Sequence, residues 1–431
     1  MALYDAAVGA ADPSPLTTDA LHSLSLERGR RVRLFSLGKA AQAMAVAAVD
    51  ALRDSQCELA GGVIVAAESV PSPDPSLVAL HGDHPLPGTR SLLAARAVAD
   101  QAEAVGDGEL ALVLLSGGAT SLIAAPIAGV AERDLVRLFD LLHRAGLDVH
   151  AMNVVRKRFT QWGAGRLAVA LAPAPACVLA MSDVPGDDPA DLASGPCEPD
   201  VSTAGDVLAL LRDASLIDEL PGALLEHLEA VRRGRAPETP KPSHSAFAGV
   251  ATSIIGSNRL AVAAALGRAR ELAFDADPGG EPLTGSAVRC GSRVADALIA
   301  RAERGWTGCV VWGGETTVHR PTTVVDSVSP ALGGRCQELA LAAARQLSSG
   351  GGAAQRITIL AAGTDGRDGP TDAAGAFADA SVWGAATRHG RGGEEALARH
   401  DSYAALDAAG ALFRRGPTGT NVMDIVIGVV R

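Results

Sequence analysis

The chain has 431 residues, of which 48% are hydrophobic and 3% aromatic, so its length predicts two or three domains with a core of Ala, Val, Leu and Ile. Its formal net charge of −11 and the absence of a Lys/Arg-rich run argue against a nucleic-acid-binding protein. Six scattered cysteines without a Cys-x-x-Cys pair, no recognisable signal peptide and no apolar run of about 18 residues predict a reduced, cytoplasmic protein outside the membrane.

The first half of the chain alternates apolar strand patterns with helix patterns. Strands are predicted at residues 33–37, 63–65, 110–115 and 177–181. Helices are predicted at residues 39–52, 91–104, 133–145 and, as one element, 153–171. Because the strands are apolar throughout rather than alternating, they predict an α/β fold whose parallel sheet is covered on both faces.

A Pro-rich, polar segment at residues 234–244 is the predicted linker between two domains, 1–240 and 245–431. The α/β alternation resumes after it, with strands predicted at 253–255, 309–312 and 357–362 and helices at 258–273 and 337–347. A closing strand is predicted at 424–430, and it is a candidate to return to the first domain.

Two glycine loops follow strands in the first half. Ser116, Gly117 and Gly118 come after the strand at 110–115 and open a helix, where backbone N–H groups and the helix dipole favour an anion. Lys39 stands in the same place after the first strand, where its charge opposes the dipole of the helix that it begins. Each loop alone also fits an ordinary strand-to-helix turn, so both interpretations stay open.

Carboxylates cluster after two further strands. Asp183, Asp187 and Asp188 share one turn, and residues 363–372 carry three aspartates and three glycines directly after the strand at 357–362. Such clusters suit Mg²⁺ held partly through water, and glycines let the backbone approach a charged ligand closely. A solvated, Asp-rich turn is the alternative interpretation of each cluster.

Paired glycines precede a charged residue at Gly313-Gly314-Glu315 and at Gly333-Gly334-Arg335. A guanidinium beside such a backbone nest fits bidentate recognition of phosphate or carboxylate. The sequence has no P-loop, no His-Glu-x-x-His, no nucleophile elbow and no Rossmann dinucleotide motif, which excludes a P-loop kinase and weakens a nicotinamide-dependent function. The anion loops, acidic clusters, lysine and arginine together favour phosphoryl transfer, which needs charge neutralisation and alignment more than a nucleophile.

Short motifs run through nearly the whole chain in the order of one family. They include Gly38-Lys39-Ala40-Ala41, His84-Pro85-Leu86-Pro87, Asn153-Val154-Val155-Arg156-Lys157, the 363–372 run and Thr418-Gly419-Thr420-Asn421. Each motif is weak, but the ordered series resembles the class II glycerate kinases, the family with a C-terminal MOFRL-type domain. Some members of that family carry an older label, hydroxypyruvate reductase.

The resemblance implies a Rossmann-like α/β/α N-terminal domain, a smaller MOFRL-type α/β domain and an active site in the cleft between them. It also implies transfer of the γ-phosphoryl group of ATP to a hydroxyl of D-glycerate, usually giving 2-phosphoglycerate, with Mg²⁺. The partners expected are ATP and a small hydroxy acid, with no nucleic acid or membrane, and a homodimer is a candidate assembly.

The same resemblance assigns roles to individual residues. Lys39 and Arg335 correspond to the family's catalytic lysine and arginine. The residues expected to bind substrate or phosphate are Ser116, Gly117, Gly118, Ala119, Asn153, Arg156, Gly313, Gly314 and Thr364. The candidate metal ligands are Asp183, Asp187, Glu315 and Asp365, and the sequence leaves open which carboxylate acts as the base.

The chain departs from the family pattern at several polar positions. Ala119 replaces a glycine, Gly163 a lysine, Ala151 a glutamate and Cys336 an asparagine, and residues 319–332 are longer than the family norm. These losses suggest a changed acceptor pocket, so a kinase of the same fold with another hydroxylated acceptor is the main alternative. A hydroxypyruvate reductase and a non-catalytic nucleotide-binding protein are the remaining alternatives.

Overall fold

The computed structural model describes residues 1–318, 331–389 and 392–431, so most of the segment at 319–332 lies outside the described residues. The described residues form two compact units. The first unit is Pro13–Gly256, and the second unit combines Met1–Asp12 with Ser257–Arg431. The chain therefore passes between units after Gly256 rather than at 240–245, and its first residues belong with its last.

The strands of the described residues are, in chain order, β1 (Arg31–Leu37), β2 (Glu58–Ala66), β3 (Leu77–His81), β4 (Leu110–Leu115), β5 (Ala176–Met181), β6 (Val250–Gly256), β7 (Ala276–Pro278), β8 (Leu283–Ser286), β9 (Gly308–Thr317), β10 (Ile357–Gly363), β11 (Gly375–Ala378), β12 (Leu412–Phe413) and β13 (Asp424–Val430). The helices are α1 (Ala2–Ala10), α2 (Pro13–Ser23), α3 (Ala41–Asp54), α4 (Thr89–Glu103), α5 (Ala119–Leu122), α6 (Glu132–Arg144), α7 (Val149–Phe159), α8 (Arg166–Leu171), α9 (Ala204–Asp213), α10 (Gly222–Arg232), α11 (Asn258–Glu271), α12 (Ala287–Glu303), α13 (Arg335–Ser349), α14 (Gly351–Ala354), α15 (Val382–His389), α16 (Gly393–Ala398) and α17 (Ser402–Ala408). Within this part of the chain no helix is long and apolar enough to cross a bilayer.

The first unit is built on a six-stranded sheet in the order β3-β2-β1-β4-β5-β6, and every strand pair in it is parallel. Strands β4 and β5 are buried at every residue, as their unbroken apolar sequences predict. One core cluster joins the sheet to residues of α4 and α8. The prediction of a parallel α/β sheet is confirmed, and β1 and β4 flank the point at which the strand order reverses.

The prediction of one helix at 153–171 is wrong. The structure has two helices there, α7 and α8, with Thr160–Gly165 between them. Ala164 and Gly165 have φ angles of 54° and 75°, which no α-helix accommodates. The Arg166 guanidinium donates to the carbonyl oxygens of Lys157 and Gly163 at 2.7 and 3.1 Å, so it satisfies backbone groups that the break leaves without helical partners.

The predicted linker at 234–244 is part of the first unit rather than a connection between units. Thr239 donates to Asp200 Oδ2 at 2.8 Å, and Lys241 Nζ donates to the carbonyl oxygen of Asp200 at 3.1 Å. Beyond it, β6 pairs with β5 and completes the first sheet. Pro-rich composition marked an irregular segment correctly, but the segment is tied down by polar contacts that composition does not reveal.

The second unit contains a mixed sheet in the order β12-β11-β10-β13-β9-β7, with β8 pairing beside β9. Strand β13 has its predicted bounds and lies antiparallel between β10 and β9, so it does not return to the first sheet. Helices α12 and α13 pack on this sheet in one apolar core. Helix α1 also joins this unit, because Tyr4 Oη donates to the carbonyl oxygen of Gly363 at 2.7 Å.

A buried ion network stabilises the first unit. The Asp200 side chain is 0% exposed, and it accepts from Lys157 Nζ at 3.0 Å with Arg158 Nη2 3.5 Å away. Arg158 also pairs with Glu238. Although burial alone would raise it, the pKa of Asp200 is lowered by hydrogen bonds from Ser202 and Thr239 and by the charge of Lys157.

We expect Asp200→Asn to lower the free energy of unfolding by about 3–5 kcal/mol, because it leaves the buried Lys157 ammonium without its charge partner and removes one of the two carboxylates paired with Arg158. Urea unfolding followed by circular dichroism measures the change. Asp50→Asn, at an exposed pair with Arg53, is the control and should cost less than about 1 kcal/mol. Because the folded pKa of Asp200 is lowered, its contribution should be present at neutral pH and lost as the pH falls below its ordinary pKa of 3.8. Equal losses in the two variants would contradict this account of the network.

Candidate active site

The loops that follow β1 and β4 are joined to each other at the carboxyl edge of the first sheet. Lys39 N donates to the carbonyl oxygen of Gly117 at 2.9 Å, and Ala40 N donates to Ser116 Oγ at 3.0 Å. Gly38 has a φ of +127°, and a Cβ there would lie 2.3 Å from Ser116 Oγ. Only glycine fits this approach, so the two predicted anion loops form one continuous surface.

Three functional side chains converge on the glycines of this surface. A Cβ on Gly118 would lie 3.3 Å from Lys39 Cε and 3.5 Å from His84 Cε1, and a Cβ on Gly117 would lie 1.7 Å from Asp183 Oδ2. The loops after β1, β3, β4 and β5 therefore bring a lysine, an imidazole and a carboxylate against the Gly117–Gly118 peptide, in which Gly117 is buried and Gly118 partly exposed. We call Lys39, His84, Ser116–Gly118 and Asp183 the cradle.

His84 was missing from the residues that the sequence assigned a role, although its His-Pro-Leu-Pro motif was noted. Its Nδ1 lies 2.8 Å from Ser121 Oγ, which itself donates to the carbonyl oxygen of Gly118 at 3.1 Å. The Ser121 hydroxyl has one proton, and it is used in the bond to Gly118. His84 Nδ1 therefore donates its proton to Ser121 Oγ, and the neutral ring carries its free lone pair on Nε2. Burial of the ring, followed by the charges of Lys39 and Arg156, lowers the pKa of His84 to about 4, although the residue keeps an exposed edge.

Asn153 is buried and supports the neighbouring loops. Its Nδ2 donates to the carbonyl oxygen of Asp191 at 2.8 Å, and its Oδ1 accepts from Ser194 Oγ at 3.0 Å. Ser194 Oγ in turn lies 3.0 Å from Thr120 Oγ1, at the start of α5. Asn153 therefore braces α5 through Ser194, and a direct contact with a ligand stays a prediction.

Arg156 is a cation without a carboxylate partner among the described residues. Its guanidinium stacks 4.8 Å from the centre of the Phe139 ring, and its buried Nε has no hydrogen-bond partner there. Burial lowers its pKa to about 10, so the group remains charged at neutral pH. A partly buried positive charge of this kind favours an anionic ligand.

Helix α5 is only four residues long, so its dipole contributes little to anion binding and the helix-dipole part of the prediction is weakened. Its first residue, Ala119, is 0% exposed and packs in the core of the first unit. Asp187, predicted as a metal ligand, lies in the loop after β5 with a φ of 56°. The cradle therefore depends on backbone and on Lys39 rather than on a long helix.

In the second unit, Arg335 is held by two carboxylates. Its Nε and Nη2 donate to Asp424 Oδ2 and Oδ1 at 2.6 and 2.7 Å, and Nη2 lies 3.1 Å from Glu315 Oε1. Burial alone would lower the pKa of Arg335, but these two carboxylates raise it well above its usual range. The sequence analysis assigned no role to Asp424. The feature that could have indicated one is its position as the single charged residue at the start of an otherwise apolar strand.

The opening turn of α13 is capped by the loop at 363–372. Asp368 Oδ1 and Oδ2 accept from Cys336 N and Gln337 N at 3.1 and 2.7 Å. Burial raises the pKa of Asp368 to about 7, against the lowering effect of Arg335 and of these two N–H donors. The backbone nest that was predicted beside Arg335 is thus filled by the protein's own carboxylate, and the Arg335 side chain alone is left for a ligand.

Thr364 and Asp365 tie the same loop to the chain before β13. Thr364 Oγ1 donates to the carbonyl oxygen of Met423 at 2.6 Å and accepts from Val422 N at 2.9 Å. Asp365 Oδ1 accepts from Arg367 N at 2.9 Å. The Thr364 hydroxyl is therefore already used by the backbone, whereas Asp365 keeps a second carboxylate oxygen outside this bond.

The prediction of a glycine loop at Gly313 and Gly314 is wrong, because both residues lie inside β9. A Cβ on Gly313 would lie 1.7 Å from Asn258 Oδ1, and one on Gly314 would lie 2.3 Å from the carbonyl oxygen of Leu283. Close packing of α11 and β8 against this strand, rather than approach to a ligand, explains the two glycines.

Among residues 1–318, 331–389 and 392–431, no group of three or more His, Cys, Asp or Glu side chains is arranged to hold a metal ion. Asp183 and Asp187 lie in the first unit, and Glu315 and Asp365 lie in the second. Each unit therefore contains two of the four predicted metal ligands.

Comparison with known proteins agrees with the sequence motifs. The model "Domain of unknown function (DUF4147)" matches residues 1–229, and the MOFRL family model matches residues 308–424. The D-glycerate 2-kinase of Thermotoga maritima is 32% identical over 97% of this chain and 94% of its own length. The glycerate 2-kinase of Pyrococcus horikoshii is 33% identical over 93% of this chain and 87% of its own length. The chain belongs to the class II glycerate kinase family.

The fold leads to the same family. The crystal structure of the glycerate kinase from Thermotoga maritima superposes with a TM-score of 0.82 at 31% identity, covering 100% of this chain and 98% of that one. The predicted two-domain α/β fold is confirmed. Membership in this family makes the chain a kinase, an ATP-dependent enzyme that phosphorylates an alcohol. A relative from Agrobacterium vitis, 32% identical over 98% of this chain and 92% of its own length, is named putative hydroxypyruvate reductase.

Three departures from the family pattern lie inside the units rather than on a ligand surface. Ala119 and Cys336 are buried in the cores of their units. A Cβ at Gly163 would lie 2.7 Å from Thr160 Oγ1 and 3.0 Å from Lys157 Cα, so the family lysine has no room here. Ala151 is partly exposed near the start of α7. Three of these four positions are therefore buried, and a changed acceptor pocket stays a prediction.

We expect His84 to titrate well below its ordinary pKa of 6.5, and Lys39→Met to raise its midpoint, because removing a positive neighbour favours the imidazolium. NMR of histidine-labelled protein, titrated from pH 8 to about one unit below the expected midpoint, measures this pKa, with His84→Gln to assign the signal among ten histidines. Because the folded pKa is lowered, the folded state should lose stability as the pH falls from 6.5 toward 4. A midpoint at 6.5 in both proteins would show that the ring is not near Lys39.

Proposed function

We propose that this protein transfers the γ-phosphoryl group of ATP to the 2-hydroxyl of D-glycerate and releases 2-phosphoglycerate and ADP. The observation that carries the proposal is the cradle, in which Lys39 lies over Gly118 beside Asp183 at the strand-order reversal of a parallel sheet. Open α/β sheets bind ligands at this place. The names of the relatives from Thermotoga and Pyrococcus support glycerate as the acceptor.

In this proposal, Lys39 and Arg335 stabilise negative charge on the transferring phosphoryl group. Phosphoryl transfer needs little covalent chemistry, so most of its acceleration comes from placed positive charge and alignment. Ser116 N already donates to the carbonyl oxygen of Leu37, so the N–H groups of Gly117 and Gly118 are the candidate neutral donors at the same surface. Arg156 supplies a further positive charge in the first unit. The second unit contributes Arg335, whose Nη1 makes no hydrogen bond within the described ranges.

Magnesium fits the first unit without a dedicated metal cage. Mg²⁺ usually binds one or two carboxylates and completes its shell with water and substrate phosphates, so a cluster of three protein ligands is not required. Asp183, which touches the cradle at Gly117, is the residue best placed to hold it, with Asp187 in the same loop. The ion would neutralise phosphate charge when bound. Glu315 already pairs with Arg335, which makes it a weaker candidate ligand.

The experiment uses the purified full chain with ATP, MgCl₂ and D-glycerate. ADP release is followed by a coupled assay, and ³¹P NMR separates 2-phosphoglycerate from 3-phosphoglycerate. We expect one 2-phosphoglycerate per ADP, and no consumption of NADH or NADPH with hydroxypyruvate. An acceptor screen with other small hydroxy acids runs beside it. ATP turnover that prefers another acceptor, or reduction of hydroxypyruvate, would contradict the proposal.

Replacing Lys39 tests the cradle directly. We expect Lys39→Met to lower kcat by about 100- to 1,000-fold, because one fixed donor to the transition-state charge is lost. Arg133→Met is the control, because it also removes a positive charge from the first unit, at a side chain on α6 that is 81% exposed. Its kcat should equal that of the parent. Parental kcat in Lys39→Met would remove the lysine from the mechanism.

A further inference from the structure

The contact between Arg335 and Asp424 fixes how the guanidinium is turned. Asp424 binds the Nε–Nη2 edge with both carboxylate oxygens, at 2.6 and 2.7 Å. Such a side-on, bidentate pair sets both the position and the plane of the guanidinium. Nη1 is left at the opposite corner, and the side chain remains 27% exposed.

Asp424 is itself held from several directions. It opens β13 at the centre of the second sheet, paired in register with Gly363 of β10 and Gly314 of β9. Asn258 Nδ2 donates to its carbonyl oxygen at 2.8 Å, and its side chain is only 7% exposed. Because Asp424 is fixed in this way, its carboxylate sets the orientation of the Arg335 guanidinium rather than the reverse.

Glu315 is a partner of a different kind. It meets Arg335 through one oxygen at 3.1 Å, on the Nη2 that Asp424 already binds, and its side chain is 30% exposed. A partly exposed ion pair with a single contact restricts the orientation of a guanidinium less than a buried bidentate pair does. Of the two carboxylates, Asp424 is the one that sets the geometry of Arg335.

We propose that Asp424 is a positioning residue for the kinase reaction, holding the Arg335 guanidinium so that its Nη1 corner meets the transferring phosphoryl group. This inference rests on the proposed function of Arg335. Asp424 does not touch the substrate. It acts through the arginine, because a guanidinium that turns freely would place its charge correctly only part of the time.

The test compares Asp424→Asn with the parent in the ATP and D-glycerate assay. Asparagine keeps the shape but loses the charge and one of the two acceptor oxygens. We expect kcat to fall by about 10- to 100-fold, with the KM values for ATP and D-glycerate changed by less than about threefold. Tyr4→Phe is the matched control, because it removes the hydrogen bond to Gly363, the residue paired with Asp424, without touching Arg335. It should lower thermal stability and leave kcat unchanged.

Repeating the Asp424→Asn substitution in an Arg335→Met background shows whether Asp424 acts through Arg335 or through the stability of the fold. In the Arg335→Met background, Asp424→Asn should have no further effect on kcat, because the group that it orients is gone. A further loss as large as in the parent background, or an equal loss of kcat in Tyr4→Phe, would overturn the inference. Parental kcat in the single Asp424→Asn variant would overturn it as well. A parent protein that does not phosphorylate glycerate at all would instead contradict the proposed function.

Discussion

The carboxylate of Asp368 on the first turn of α13 is the contact on which the rest of the second unit's site depends. It joins the glycine- and aspartate-rich loop at 363–372 to the helix that Arg335 begins. A Cβ on Gly334 would lie 2.2 Å from the Asp368 carboxyl carbon, so glycine at this position lets the carboxylate reach the helix. With the turn fixed, Arg335 can meet Asp424 side-on. The loop is thus an internal cap of helix α13.

In the first unit, hydrogen bonds between two loops, rather than a capping carboxylate, hold the residues around Lys39 in place. The loops after β1 and β4 exchange hydrogen bonds, and their glycines allow Lys39, His84 and Asp183 to converge. In both units a glycine leaves room beside the charged residue: Lys39 follows strand β1 and lies against Gly118, and Arg335 begins helix α13 after Gly334. The difference lies in the charge balance: Arg335 is neutralised by two carboxylates, whereas Arg156 has none in the described part of the first unit.

Much of this arrangement could be predicted from the sequence. Apolar runs predicted the bounds of strands β4 and β13, and the loops carrying Lys39 and Ser116 were each predicted to follow a strand. That the two strands are neighbours was not predicted. The Gly313-Gly314 pair was misread because a glycine required by a neighbouring side chain looks the same in sequence as one required by a ligand. Asp424, the bidentate partner of Arg335, is 89 positions away in the chain, and Asp368 is 32 positions from Cys336, whose N–H it caps. No local sequence pattern specifies such distant contacts. For the same reason, the sequence did not predict that α1 belongs to the second unit and residues 234–256 to the first.

The central proposal is that the reaction needs both Lys39 and Arg335. A double-mutant cycle with Lys39→Met and Arg335→Met, measured as single-turnover rates with ATP and D-glycerate, tests it most directly. Residues that act as a unit are strongly non-additive, so the account predicts that the double variant loses at least about tenfold less than the product of the two single losses. A double variant whose loss equals that product would show that the two cations act independently and would contradict the account.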